Sequence, residues 1–288
     1  MSQNSAMRDL VRTMGQAAKQ ASLQIGASST EVRNKALRLL ADKIRTRKEA
    51  IFKANELDLN KAAEHDYPAA FIDRLRLTPA IVETMALGCE QIADLPDPIG
   101  QVTEKHHRPS GIDVARMRVP LGVIAIIFES RPNVTIDASA LTIKSGNAAI
   151  LRGGKEALES NRMLGALVQE ALDEAGLPQN AVQVVGTSDR DFVGELITSP
   201  EYIDVLIPRG GKKLISRLEK ESRIPMIKHL DGICHTYVDK DANLAMAVSV
   251  TDNAKTQRYA PCNATETLLV HEAVAEAFLP QIGKIFAD

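Results

Sequence analysis

Cys262 stands in the run Asp252-Asn253-Ala254-Lys255-Thr256-Gln257-Arg258-Tyr259-Ala260-Pro261-Cys262-Asn263-Ala264-Thr265-Glu266-Thr267, between an apolar helical stretch and the strand-like Leu268-Leu269-Val270. A thiol becomes a nucleophile when its thiolate is favoured, and nearby cations or free backbone N–H groups do that. Lys255 and Arg258 lie close before it in the chain. A buried cysteine acting as a small hydrophobe is the other reading, and this segment alone leaves both open. Three more stretches carry chemistry: Glu129-Ser130-Arg131-Pro132-Asn133, Arg152-Gly153-Gly154-Lys155 and Pro208-Arg209-Gly210-Gly211-Lys212. Two of them run Gly-Gly-Lys into a predicted helix, where unpaired N–H groups and the helix dipole favour a phosphate. Neither is a Walker A loop, since Ala149 and Leu206 stand where its first glycine belongs, and the chain has no G-x-G-x-x-G. Two such turns in one sheet point to a phosphate-bearing ligand.

The elements that must hold these residues follow from periodicity. Residues 5–65 read as helices, with Val32, Ala36, Leu39, Leu40 and Ile44 on one face and Ser28-Ser29-Thr30-Glu31 as N-cap chemistry. Lys43, Arg45, Arg47 and Lys48 read as a solvated face. Pro79 opens a helix over 79–93 that packs Cys89, and Leu95–Gly100 is a connector. Residues 101–119 form a strand pair around Pro109-Ser110-Gly111, and the adjacent His106 and His107 point to opposite faces, against a shared metal. From Pro120 the pattern becomes α/β. Leu121–Phe128 is a nearly continuous apolar strand, followed by helix 134–145, strand 148–151, helix 156–175, strand 182–185, helix 189–198, strand 203–207 and helix 212–221. That alternation predicts a doubly wound parallel sheet, with ligands beyond the carboxyl ends of its strands. Past Pro225 come strands Met226–Leu230 and His235–Val238, helix 241–256, strand 265–270 and helix 272–286. The expected division is a cofactor-binding domain over 1–228 and the beginning of a catalytic α/β domain over 229–288, too short for a full core of its own.

Bulk properties exclude other classes. The 288 residues are 44% hydrophobic and 25% charged, an ordinary globular composition. A net charge of −2 argues against nucleic acid held by electrostatics, and 3% aromatics without Trp argue against base-stacking platforms. Cys89, Cys234 and Cys262 make neither a disulfide framework nor a metal-ligand spacing. No secretory signal or apolar run of membrane-spanning length is present, so a cytoplasmic location is the expectation, with no membrane and no metal.

Taken together, Val119-Pro120-Leu121-Gly122-Val123 through Glu129-Ser130-Arg131-Pro132-Asn133, then Ile150-Leu151-Arg152-Gly153-Gly154, then Asn253–Arg258 with Cys262-Asn263-Ala264 and Glu266-Thr267, resemble the γ-glutamyl phosphate reductases of the aldehyde dehydrogenase superfamily. The resemblance covers essentially the whole chain. It implies NADPH-dependent reduction of γ-glutamyl phosphate to glutamate 5-semialdehyde on the proline route, through a thioester. Cys262 matches the family nucleophile, and Asn133 matches the asparagine whose amide cradles the oxyanion. Ser130, Arg152, Gly153, Gly154, Lys155, Arg209, Gly210, Gly211 and Lys212 are the expected cofactor residues. Arg131, Lys255 and Arg258 are expected to meet the acyl phosphate or substrate carboxylate.

Two departures sharpen this. Hydrolytic relatives carry a Glu before Leu-Gly-Gly that activates water; here the stretch is His229-Leu230-Asp231-Gly232, and loss of the carboxylate suits an enzyme that must keep its thioester, with a neutral His229 as general base the alternative. NAD-preferring relatives tend to place Glu after the second strand, where Arg152-Gly153-Gly154-Lys155 stands, and cations there attract a 2′-phosphate. The resemblance further implies a homo-oligomer and contact with glutamate kinase. Family members continue well past the cysteine, so a longer protein is expected. A coenzyme A-type acylating aldehyde dehydrogenase and a non-catalytic nucleotide-binding fragment are the alternatives.

Overall fold

The structure, a computed structural model, describes residues 3–65, 67–228, 232–258 and 262–287. Two compact units divide it, Met1–Lys228 and His229–Asp288. The larger opens with helices α1 (Gln3–Gly26), α2 (Thr30–Thr46), α3 (Lys48–Ala63), α4 (Ala69–Leu75) and α5 (Pro79–Asp94). Ser29 caps α2 by accepting from the Val32 N–H, and Thr78 caps α5 by accepting from Ile81, with Pro79 in the first turn. The basic residues of α2 do not simply face solvent. Lys43 pairs with Glu174 at 2.9 Å, and Arg45 grips both Glu83 and Glu90.

An exposed antiparallel hairpin follows, β1 (Val102–His107) with β2 (Asp113–Met117). Then β3 (Val123–Phe128), α6 (Val134–Lys144), β4 (Ala148–Arg152), α7 (Leu158–Ala175), β5 (Val182–Val184), α8 (Arg190–Ile197), β6 (Val205–Arg209) and α9 (Lys212–Glu221) alternate. All pairings in this sheet are parallel, in the order β5-β4-β3-β6. Every residue of β3 is buried, as a strand with helices on both faces requires. Alternate side chains feed two cores: Ile124, Ile126 and Phe128 pack on the side of α2, α5, α6 and α7, and Val123, Ala125 and Ile127 on the side of α1 and α8.

The smaller unit pairs β7 (Cys234–Val238) in parallel with β8 (Thr265–Val270) and covers them with α10 (Leu244–Thr256) and α11 (Glu272–Ala287) around Val238, Phe278 and Ile282. One expectation is corrected here. Of the strand expected over Met226–Leu230, Met226 makes only an isolated bridge to Leu206, beside β6 in the larger unit. Residues 229–231, with His229, lie outside the described residues, as do Tyr259, Ala260 and Pro261 of the cysteine block.

Candidate active site

In the sheet order, β4 and β5 lie on one side of β3 and β6 on the other, so the chain changes direction beside β3, where open α/β sheets leave a crevice at their carboxyl ends. A cavity of about 690 Å³ opens there. Ile127, Phe128, Glu129 and Ser130 form its floor, Arg152, Gly154, Lys155 and Glu156 one side, and Val193 with Leu214 an apolar wall. Six cations line it, Arg74, Arg152, Lys155, Arg190, Lys213 and Arg217, against the carboxylates of Glu129 and Glu156. Arg217 is engaged by Glu221 at 2.9 Å. Arg152 donates to the Ser188 carbonyl at 3.2 Å, but its Nε is buried without a partner among the described residues. Burial pushes the Arg152 pKa down from the ordinary arginine value, and Glu156 opposes that. A surplus of positive charge with an orphaned guanidinium N–H is what a polyanionic ligand completes.

The two carboxylates already serve the loops. Ser130 sits at φ +53°, a left-handed backbone rare for a residue with a side chain, and Glu156 Oε1 accepts from its N–H at 2.7 Å. Glu129 Oε2 accepts from the Gly211 N–H at 3.0 Å, at the start of α9. Of Arg209, Gly210, Gly211 and Lys212, expected at a phosphate, none lines this cavity, and the chain's own carboxylate takes the Gly211 N–H. The other Gly-Gly-Lys loop does not open directly into an α-helix. It enters a 3-10 turn, Lys155–Ala157, before α7 begins at Leu158. The amides at the α7 start belong to Asp58, which accepts from Glu159 N–H at 3.1 Å and Ser160 N–H at 2.8 Å. Burial pushes the Asp58 carboxyl up, against the bonds from Ser160 and Glu159. Gly153 is a packing glycine outside the cavity lining, since a Cβ there would lie 2.1 Å from Asn161 Nδ2. Ser130, Arg152, Gly154 and Lys155 are the expected cofactor residues that the cavity gathers.

Asn133 precedes the first turn of α6, and its Nδ2 donates to Asp137 Oδ2 at 3.0 Å. Arg131 is exposed. In the smaller unit, Cys262 is exposed on a turn leading into β8, and its carbonyl accepts from the Cys234 thiol at 3.5 Å. Lys255 lines a cavity of about 420 Å³ with Thr251, Thr265 and Phe286. Arg258 lines a separate one of about 340 Å³ with Asn253 and Asn263. Lys255 and Arg258 thus line two different cavities.

Sequence reasoning missed the outer wall of the nucleotide-sized cavity. Tyr67, Phe71 and Arg74 come from the segment around α4. Tyr67 stacks on Phe71 with ring centroids 4.3 Å apart, and His65 stacks on Tyr67 at 5.6 Å. Asn55 anchors the far end of this segment, donating to the Leu75 carbonyl and accepting from the Leu77 N–H. The pair of aromatic residues flanking Pro68, in a chain with few aromatics, was the available signal.

The aldehyde dehydrogenase family model matches residues 2–287. Among solved structures, the γ-glutamyl phosphate reductase of Thermotoga maritima superposes with a TM-score of 0.85 at 40% identity, over 95% of this chain and 66% of that one. The γ-glutamyl phosphate reductase of Saccharomyces cerevisiae gives 0.71 at 33% identity, over 96% and 69%. An acetylating aldehyde dehydrogenase from Geobacillus thermoglucosidasius shares the fold at 19% identity, with a TM-score of 0.66 over 98% and 60%. The chain thus spans about two thirds of the length of the two reductases. With its parallel sheet, its cationic crevice and the cysteine before β8, the chain belongs to the aldehyde dehydrogenase family, beside the γ-glutamyl phosphate reductases.

Proposed function

We propose that the protein reduces γ-glutamyl phosphate to glutamate 5-semialdehyde with release of phosphate, as a step of proline biosynthesis in the cytoplasm. The likeness to the two γ-glutamyl phosphate reductases over 95% or more of this chain carries the reading. Residues 1–228 serve as the cofactor-binding domain, and 229–288 belong to the catalytic one. The family uses nicotinamide cofactors. The crevice fits such a group, since Lys155, Arg190, Lys213 and Arg74 line it without a carboxylate partner among the described residues. We assign NADPH because those cations suit a 2′-phosphate and no carboxylate follows Arg152 until Glu156, which is spent on Ser130.

The roles follow from the chemistry of the chain. Cys262, as thiolate, adds to the acyl carbon; the tetrahedral adduct collapses, phosphate leaves with the C–O electron pair, and a thioester remains on Cys262. Asn133 donates its amide to the oxygen that gains charge in this adduct. When bound, the reduced nicotinamide supplies one hydride to the thioester carbon. Cys262 then leaves as a thiolate, freeing the aldehyde and restoring the starting state. Arg131, Lys255 and Arg258 are the candidate partners of the substrate's phosphate and carboxylate. The exposed β1–β2 hairpin suits an interface between copies, and glutamate kinase is the proposed macromolecular partner; solution sizing of the protein alone and mixed with the kinase tests both.

The test runs the reaction backwards on the complete encoded protein. Glutamate 5-semialdehyde, inorganic phosphate and oxidised cofactor should yield reduced cofactor only when phosphate is present. Activity that requires coenzyme A instead of phosphate would reassign the protein to the coenzyme A-dependent branch, and no cofactor reduction in either would reject the reading.

A further inference from the structure

The fold brings a second thiol against the Cys262 loop. Cys234 opens β7 and pairs with Thr265 at the start of β8. The register then slips, so that His235 faces Thr267 and one residue of β8 is left over. Such bulges re-aim neighbouring side chains. Cys234 donates its S–H to the carbonyl of Cys262 at 3.5 Å. Gly232 makes room for this approach: a Cβ there would lie 2.6 Å from that carbonyl oxygen and 3.9 Å from the Cys234 sulfur. Cys234 is half-buried and Cys262 exposed on a turn, free of strand pairing until Thr265. The remaining thiol, Cys89, is buried between helices of the other unit, and burial pushes it up to about 12.

We propose that Cys234 and Cys262 form a reversible disulfide when the chain meets a hydroperoxide. The Cys262 thiolate attacks the terminal peroxide oxygen, the O–O bond breaks, and the departing oxygen leaves as an alcohol (water, for hydrogen peroxide) after taking a proton. Cys262 becomes a sulfenic acid. The Cys234 thiolate then displaces its hydroxyl, which leaves as water with the proton of Cys234, and an S–S bond forms. Two thiols are oxidised by two electrons and one hydroperoxide is reduced. A bond of about 2.0 Å between sulfurs needs Cα atoms about 4.4–6.8 Å apart. The Cys234 sulfur already touches the Cys262 backbone, and the turn that carries Cys262 is free of strand pairing until Thr265, so it can supply the approach that remains. A dithiol reverses the bond by exchange. The exposed thiol is thereby kept from the irreversible sulfinic state. This inference needs only the two thiols and is independent of the reductase reading.

The experiment oxidises the full chain with hydrogen peroxide, blocks remaining thiols by alkylation under denaturing conditions, digests without reductant and maps the peptides by mass. The expected result is a linked pair of peptides carrying Cys234 and Cys262, with Cys89 alkylated and both partners recovered as thiols after dithiothreitol. In Cys234→Ser, Cys262 should instead proceed to the sulfinic state and resist dithiothreitol. Sulfinic Cys262 beside alkylated Cys234 in the wild type, a bridge between two Cys262 residues of separate chains, or all three cysteines alkylated would each overturn the proposal.

Discussion

Under the proposed function, Lys155 is the residue through which charge would set cofactor choice. It lines the crevice and has no carboxylate partner among the described residues, so its ammonium is available to a ligand. Lys155→Glu should weaken NADPH far more than NADH, because attraction for a 2′-phosphate becomes repulsion. A charge-assisted bond contributes about 1.5–3 kcal/mol, so the preference should shift at least about tenfold. Fluorescence titration with each nucleotide reads the ratio, and an unchanged ratio would transfer the phosphate to Arg74, Arg190 or Lys213. Cys262→Ala tests the other end of the reaction. Turnover should fall on the order of a thousandfold or more, since the covalent route is gone, with nucleotide affinity preserved because the crevice residues all belong to the larger unit. Near-normal turnover in that variant would remove Cys262 from the mechanism.

Between elements, polar contacts from distant segments decide geometry. Asp97, beyond the end of α5, is gripped by Thr30 and Arg33 of α2 and accepts from the Ile99 N–H at 2.9 Å. Burial works against its charge, yet those bonds hold its carboxyl below the ordinary range. A depressed carboxyl means that the unfolded chain takes up the proton first. The contribution is therefore complete above the ordinary carboxylate range and is lost as pH falls through the folded-state value. Asp97→Asn should flatten that acid limb in thermal melts. Asp97→Ala should cost about 3–5 kcal/mol, because Arg33, 2% exposed, keeps its charge without a counterion. The α4 segment invites a separate measurement. If Tyr67 and Phe71 receive a planar ring of the nucleotide, Phe71→Ala weakens NADPH by roughly two- to tenfold. Equal affinity would limit the stack to structural support.

The same scale explains which features could be read from residues. Leu121–Phe128 and the alternation after it announced a parallel sheet, because burial on both faces writes an uninterrupted apolar run. Thr78-Pro79 and Ser29 announced helix starts through local chemistry alone. Glu129 on Gly211, Asp58 on the start of α7 and Cys234 on Cys262 were illegible, because each joins segments separated by a topology that periodicity does not contain. The helix starts at 158 and 212 looked vacant for a phosphate for that reason.

For the whole molecule, the position of β3 in the sheet carries a consequence in time. Its hydrogen-bonding neighbours are β4 on one side and β6 on the other, and Ile124 meets its β6 partner only at Val205. During synthesis at about 5–20 residues per second, one edge of Val123–Phe128 stays unpaired on the order of ten seconds while roughly eighty more residues emerge. That edge belongs to six consecutive apolar residues without a charge or proline, the composition that seeds intermolecular strand pairing. Nascent chains halted before β6 should therefore associate with one another or with a chaperone, and release from both should coincide with arrival of Val205–Arg209. The strand that centres the finished crevice is also the segment whose birth on the ribosome most needs protection.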